Sequence, residues 1–318
     1  MAVAVAALGG LWWALFALKP YAIDPSALHA RYAHDAPGTR AGPVELDPPQ
    51  AVRVGQVQAW AHGLRFRSFD GEQVRGRLVV PATAGAPAPA RAGPPRRRVL
   101  LALHAMGRTQ WRWWQGEFKG RPTIENTHVL AERALQAGHV VIALDARGHG
   151  DRKDPRRPVT ARQLLRDLHL WGQREPYERL IVDTVKDYRV LLDWVARQPG
   201  LDGTRVRAAG YSMGAQMALL LAAADTRVHG VAAMVPPHLD AKVAAVAPTT
   251  VAPRLADVEV WLLTADDDEH ASTRQNDALF RALPGEAKRH LRFEGGHVLP
   301  AGYVDRLQPW LSAGSPGR

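Results

Sequence analysis

The sequence predicts an α/β protein, with a mostly parallel central sheet, helices on both faces and antiparallel strands on its N-terminal side. Three observations carry that reading. Strand-like and helix-like segments alternate from residue 99 onward, the pattern of a parallel sheet wound by crossover helices. Before them, residues 52–60, 64–69 and 73–80 alternate apolar and polar side chains, and Asp70-Gly71 between the last two is a hairpin signal. Third, Gly210-Tyr211-Ser212-Met213-Gly214 stands between an apolar strand-like run and an apolar helix-like run.

Taken in order, residues 1–18 form an apolar N-terminal segment with Trp12, Trp13 and Phe16, and residues 2–18 carry no charged side chain. That length lies at the short edge of a membrane-spanning helix. The segment is therefore read as an uncleaved membrane anchor of unassigned sidedness. A secretory signal, giving a secreted or periplasmic protein, and a buried apolar element are the alternatives. Residues 19–50, rich in proline, alanine and glycine, read as a linker wrapping onto a domain over 51–318, and residues 81–95 as a surface loop.

Within the domain, residues 99–104 are a continuous apolar run, as a strand buried on both faces requires. Residues 126–137 read as a helix capped by Asn126 or Thr127 and stopped by Gly138, and 139–145 as the next strand. Ile181, Val185, Tyr188, Leu192 and Val195 recur at helical spacing, which marks 180–198 as an amphipathic helix. Strands follow at 206–210, 228–235, 258–264 and 288–293, with helices at 213–224, 272–283 and 300–312. Residues 152–179 interrupt the alternation; Leu164, Leu165, Leu168, Leu170 and Trp171 there suggest a small helical lid.

Composition removes several function classes. The 318 residues include no cysteine, which excludes disulfides, a thiolate nucleophile and cysteine metal ligands. A net charge of +10 would suit an anionic polymer if it were concentrated. Its densest stretches, Arg96 to Arg98 and Arg152 to Arg157, sit among prolines, and no basic helix or aromatic-interleaved stripe accompanies them. Nucleic acid is not an expected partner, and nothing in the sequence calls for a cofactor.

The pentapeptide at 210–214 matches G-x-S-x-G. A serine on a sharp strand-to-helix turn projects its oxygen above the sheet, and the following helix directs its N-terminal amides at developing negative charge. The motif's own run, LDGTRVRAAGYSMGAQMALLLAA at 201–223, resembles alpha/beta-hydrolases of the dienelactone hydrolase and acetyl xylan esterase type. So do LALHAMG at 101–107, VVIALDARGHGD at 140–151 and the stretch from Asp183 to Trp194. The resemblance spans about residues 52–312 and implies the alpha/beta-hydrolase fold and acyl transfer to water. Dienelactone hydrolase itself uses a cysteine nucleophile, so the absence of cysteine favours ester or related acyl substrates.

By that resemblance Ser212 is the nucleophile, and an acid and a histidine follow it in that order. His297, in Phe293-Glu294-Gly295-Gly296-His297, occupies the place of the catalytic base, a role that suits an imidazole titrating near neutrality. Four carboxylates compete for the acid in Asp266-Asp267-Asp268-Glu269. Aligning Ala265 with the family's glycine selects Asp268, and aligning Thr264 selects Asp267. Asp268 is preferred because EHAS then fills the usual spacer before the helix. The cluster also serves as helix cap and first-turn acids, and it lacks the spaced ligand loop of a calcium site, so no metal is assigned.

The oxyanion donors implied are the amides of Met213 and Met106, although Ala105 stands where the family carries glycine. Trp111, Trp113 and Trp114 follow closely and are read as an aromatic wall for an acyl group, with packing under a surface loop as the alternative. The expected function is hydrolysis of a small-molecule carboxylic ester through an acyl-enzyme. A peptidase, an acyltransferase and a non-catalytic binding protein on the same fold are the competing readings.

Overall fold

The computed structural model describes residues 10–35, 41–82, 96–154, 156 and 160–313. Among these residues, β1 (Glu45–Leu46), β2 (Gln50–Val54), β3 (Val57–Arg67) and β4 (Gln73–Pro81) form an antiparallel entry. The strands β5 (Val99–Leu103), β8 (Val140–Leu144), β9 (Val206–Tyr211), β10 (Val228–Met234), β11 (Glu259–Ala265) and β12 (Lys288–Phe293) are mutually parallel. They join in one sheet of order β1-β3-β4-β8-β5-β9-β10-β11-β12, with β2 on β3. A separate small hairpin, β6 (Glu117–Phe118) with β7 (Arg121–Pro122), lies in the loop after β5.

Strand periodicity sorts the core into two layers. In β5, Val99, Leu101 and Leu103 face one apolar cluster while Leu100 and Ala102 face the other, and β8 divides in the same way. The first layer is covered by α1 (Pro25–Tyr32), α4 (Arg174–Ala196) and α5 (Met213–Ala224), the second by α2 (Thr127–Gln136) and the C-terminal turns. Between α2 and α4 runs α3 (Ala161–Trp171), and α6 (Thr273–Ala282) follows β11.

Several expectations shift. Of the N-terminal segment, residues 1–9 lie outside the described residues, and among the described ones residues 10–16 are helical. Among the described residues no helix is long and apolar enough to cross a membrane. Instead the Trp12 indole donates to Leu170 O at 3.0 Å, and Phe16 meets Trp171 edge-on at 5.3 Å. The expected linker carries α1, capped by Asp24, with Tyr21 and Tyr32 bonded to Ala245 of the domain. Proline and alanine richness hid that helix.

The first hairpin turn falls at Gly55, whose φ of 55° a glycine tolerates, so β3 runs unbroken where two strands were expected. The Asp70-Gly71 hairpin lies between β3 and β4 as read. Most of the surface loop, residues 83–95, lies outside the described residues. The segment expected as a lid contains α3, which stops at Gly172 (φ 63°), while its last residues already belong to α4. The C-terminal helix is broken into Tyr303–Arg306 and Gln308–Ser312, with Pro309 opening the second turn.

One buried ionic network ties these parts together. Asp187 of α4, fully buried, accepts from Arg147 Nη2 and Arg152 Nη1, both at 2.7 Å, and from the Ser68 hydroxyl. Arg147 continues to Asp70 and Glu72 on the β3–β4 turn. Burial alone would lower the Arg147 pKa, but bonds to Asp187 and Asp70 outweigh it and hold the guanidinium above its ordinary range. Asp187→Ala would leave two guanidinium groups without their shared buried partner. It should destabilise the fold by about 3–5 kcal/mol, read as a lowered urea midpoint. A midpoint within experimental error of the parent would show that the network carries no stability.

Candidate active site

Ser212, Asp268 and His297 follow the carboxyl ends of three parallel strands, β9, β11 and β12. That edge is where side chains from loops distant in sequence converge in sheets of this kind. Ser212 sits between β9 and α5 at φ 55°, ψ −117°, a strained conformation for any residue with a side chain. Its glycine neighbours explain how the turn is tolerated. A Cβ on Gly210 would collide with the carbonyl of Gly214, and one on Gly214 with the carbonyl of Leu103.

The three side chains form one hydrogen-bonded line. The Ser212 hydroxyl donates to His297 Nε2 at 2.8 Å, and Nδ1–H of that ring faces Asp268 Oδ1 and Oδ2 at 2.9 and 3.0 Å. The tautomer follows from these partners. Asp268 is buried and also accepts from the His270 amide at 2.8 Å, while Asp267 is exposed and gives its backbone amide to Gly295 O. Of the two aspartates weighed from sequence, only Asp268 reaches the imidazole. Such a line can take a proton from the hydroxyl and return it to a leaving group, the carboxylate stabilising the imidazolium formed between.

Tyr211 is a further residue of the site that the sequence does not mark. Its hydroxyl donates to His297 O at 2.9 Å and accepts from the Leu299 amide at 2.8 Å, clamping the histidine loop to the strand that delivers the serine. No motif signals it; only the closing of the loop over β9 does.

Met213 opens α5, and among the described residues neither its amide nor that of Met106 donates to a protein acceptor. The loop carrying Met106 is held from below by His104, whose Nδ1 donates to Ala105 O and whose Nε2 accepts from the Ala146 amide, both at 2.9 Å. Asp145 fixes the other side, accepting from the Gln110 amide at 2.8 Å and the Asp151 amide at 3.0 Å.

The tryptophans separate. Trp113 is fully buried and Trp114 is 6% exposed with its indole bonded to Gln110, so both belong to the core and the expected wall loses them. Their apolar bulk fills the layer between β5 and α2. Trp111 alone remains half-exposed, stacked on Phe118 of β6 at 6.0 Å. His149, in the ARGHG loop, packs 5.3 Å from His104.

The sequence profile of the alpha/beta hydrolase fold matches residues 118–301, more than half of the chain. The chain belongs to that family. Among solved structures it is similar to an acetyl xylan esterase from Thermoanaerobacterium, at 17% identity and a TM-score of 0.67, covering 95% of this chain and 97% of that one. An acetyl xylan esterase from Paenibacillus matches with 15% identity and a TM-score of 0.65, over 93% and 97% of the two chains. A cold-adapted esterase from an Arctic intertidal metagenomic library matches at 19% identity and a TM-score of 0.58, over 83% and 98%. At such identities the likeness is one of fold. No curated protein sequence matches the chain.

Burial lowers the His104 pKa to about 4, and burial with the nearby His104 does the same for His149. An unfolded histidine titrates near 6.5, so the unfolded chain binds protons there before the folded one does. Their contribution to stability is whole above about 6.5 and is lost as pH falls toward 4. The urea midpoint should drop through that window, with a shallower slope in His104→Gln. A midpoint independent of pH there would contradict the neutral, pinned imidazoles.

Proposed function

We propose that the protein is a serine esterase that hydrolyses a small-molecule carboxylic ester through an acyl-enzyme. The observation carrying this reading is the line from Ser212 Oγ through His297 to Asp268, with hydrogen bonds of 2.8 and 2.9 Å at the N-terminus of α5. In the first half-reaction Ser212 attacks the acyl carbon while His297 takes its proton and then protonates the leaving alcohol. Water reverses the sequence, activated by the same imidazole. The amides of Met106 and Met213 receive the oxyanion, and their lack of protein acceptors fits that role.

A fluorophosphonate probe should label the parent and fail on Ser212→Ala. Hydrolysis of para-nitrophenyl acetate should fall about 10⁴-fold in Asp268→Asn and no more than a few-fold in Asp267→Asn. Labelling that survives Ser212→Ala, or equal losses in the two aspartate variants, would sink the assignment.

We further propose that the protein lies against a lipid surface. Leu11, Trp13 and Leu15 of the N-terminal helix are 57%, 62% and 65% exposed, and the same helix meets Leu170 and Trp171 of α3, 49% and 46% exposed, through Trp12 and Phe16. Residues 2–9 continue the apolar run in sequence, while Lys19, stacked on Trp13, and Arg174, bonded to Lys19 O, supply positive charge at its border. A patch of this kind suits an interfacial seat better than a spanning one. The full chain should float with phosphatidylglycerol-containing vesicles, and Trp13→Ala with Trp171→Ala should release it. Flotation unchanged by that pair, or none at all, would remove the patch from any such role.

A further inference from the structure

Beside the oxyanion loop lies a cavity of about 390 Å³ whose near corner is Gly107 and Arg108, the residues that follow Met106. Its walls are cationic. Arg112, Lys119, Arg121 and Lys153 line it together with Arg108, against the single carboxylate of Asp151. Arg108 is neutralised by Glu125 behind it. Among the described residues the other four have no carboxylate within ion-pair distance.

Arg112 is the informative member. It is only 6% exposed, yet its Nη1 bonds neutral acceptors alone, Arg121 O at 2.7 Å and Thr123 Oγ1 at 3.2 Å. Burial and the charge of Arg108 hold its guanidinium below the ordinary range, against the opposing pull of the Glu125 carboxylate. A nearly buried cation whose own hydrogen bonds go to neutral acceptors is costly, and a bound anion would offset that cost. The floor is aromatic: Trp111 stacks on Phe118 with the rings 7° from parallel, and the Arg77 guanidinium lies 4.2 Å over Trp111. At the rim, Lys119 sits at φ 52° ahead of Gly120 in the tight β6–β7 turn, which holds Lys119 and Arg121 close together.

We infer that this groove binds the anionic end of the substrate, so that the ester cleaved at Ser212 carries a carboxylate or similar anion on a flat or apolar body. The inference rests on the esterase reading and narrows it. Lys119, Arg121 and Lys153 draw the charge in, Arg112 receives it, and the Trp111–Phe118 face supports the body between the anion and the reacting carbon.

The test compares kcat/KM for three esters: neutral para-nitrophenyl acetate, para-acetoxybenzoate with its carboxylate on the alcohol side, and para-nitrophenyl hemiglutarate with its carboxylate on the acyl side. In the variant combining Lys119→Gln, Arg121→Gln and Lys153→Gln, the anionic-to-neutral ratio should fall at least about tenfold for one anionic ester, which identifies the side, and the parent ratio should fall with added salt. A charge-matched control of Arg205→Gln, Lys242→Gln and Arg281→Gln should leave both ratios in place. Unmoved ratios in the first variant, or equal movement in the control, overturn the groove while the esterase reading stands. Calorimetric binding of para-acetamidobenzoate against acetanilide needs no turnover. If all three esters resist hydrolysis but the charged amide binds and loses affinity in the variant, the esterase reading falls and the anion groove stands. No preference for the charged amide in the parent overturns the groove.

Discussion

The site depends on one steric constraint. Ser212 occupies a backbone conformation that an ordinary side chain resists, and it does so because two glycines let main chain approach main chain. Gly210 admits the carbonyl of Gly214, and Gly214 admits the carbonyl of Leu103. The second contact brings the first turn of α5 against the end of β5, so the strand that leads into the Met106 loop and the helix that begins with Met213 are packed together. Serine, helix and loop acquire their relative positions from that single close approach.

Around this point the molecule uses polar pins where apolar packing would leave freedom. His104, Asp145 and Asp187 are each almost fully buried, and each bonds to main chain or guanidinium across elements distant in sequence. Hydrophobic contact tolerates sliding; a hydrogen bond lost in the interior leaves an uncompensated group. The beginnings of the loops after β5 and β8 are thereby tied to each other across the sheet edge they leave.

Much of the fold was legible because burial writes itself into periodicity. The run at 99–104 and the i, i+4 series from Ile181 to Val195 each had one packing solution, and both elements stand where they were read. Chemistry was legible where a motif demands particular backbone, as at 210–214. The remainder was hidden for identifiable reasons. The helix Pro25–Tyr32 has alanines and a proline in its first turn, and its stability comes from Tyr21, Tyr32 and Arg31 meeting α4 and Ala245, none of which is a local signal. Tryptophans at 113 and 114 read as a binding wall because aromatic residues near a site carry no label for inward or outward. Asp268 could be separated from Asp267 only by the alignment of a spacer, whereas in three dimensions one carboxylate is buried and the other faces solvent.

Tyr211 links two residues that sequence keeps 85 positions apart, since its hydroxyl holds the backbone of His297 while its own main chain leads into Ser212. The carboxyl end of β9 thus carries the serine through its main chain and holds the histidine loop through one side chain. The same hydroxyl also accepts from the Leu299 amide, so the loop on both sides of the imidazole is tied to β9.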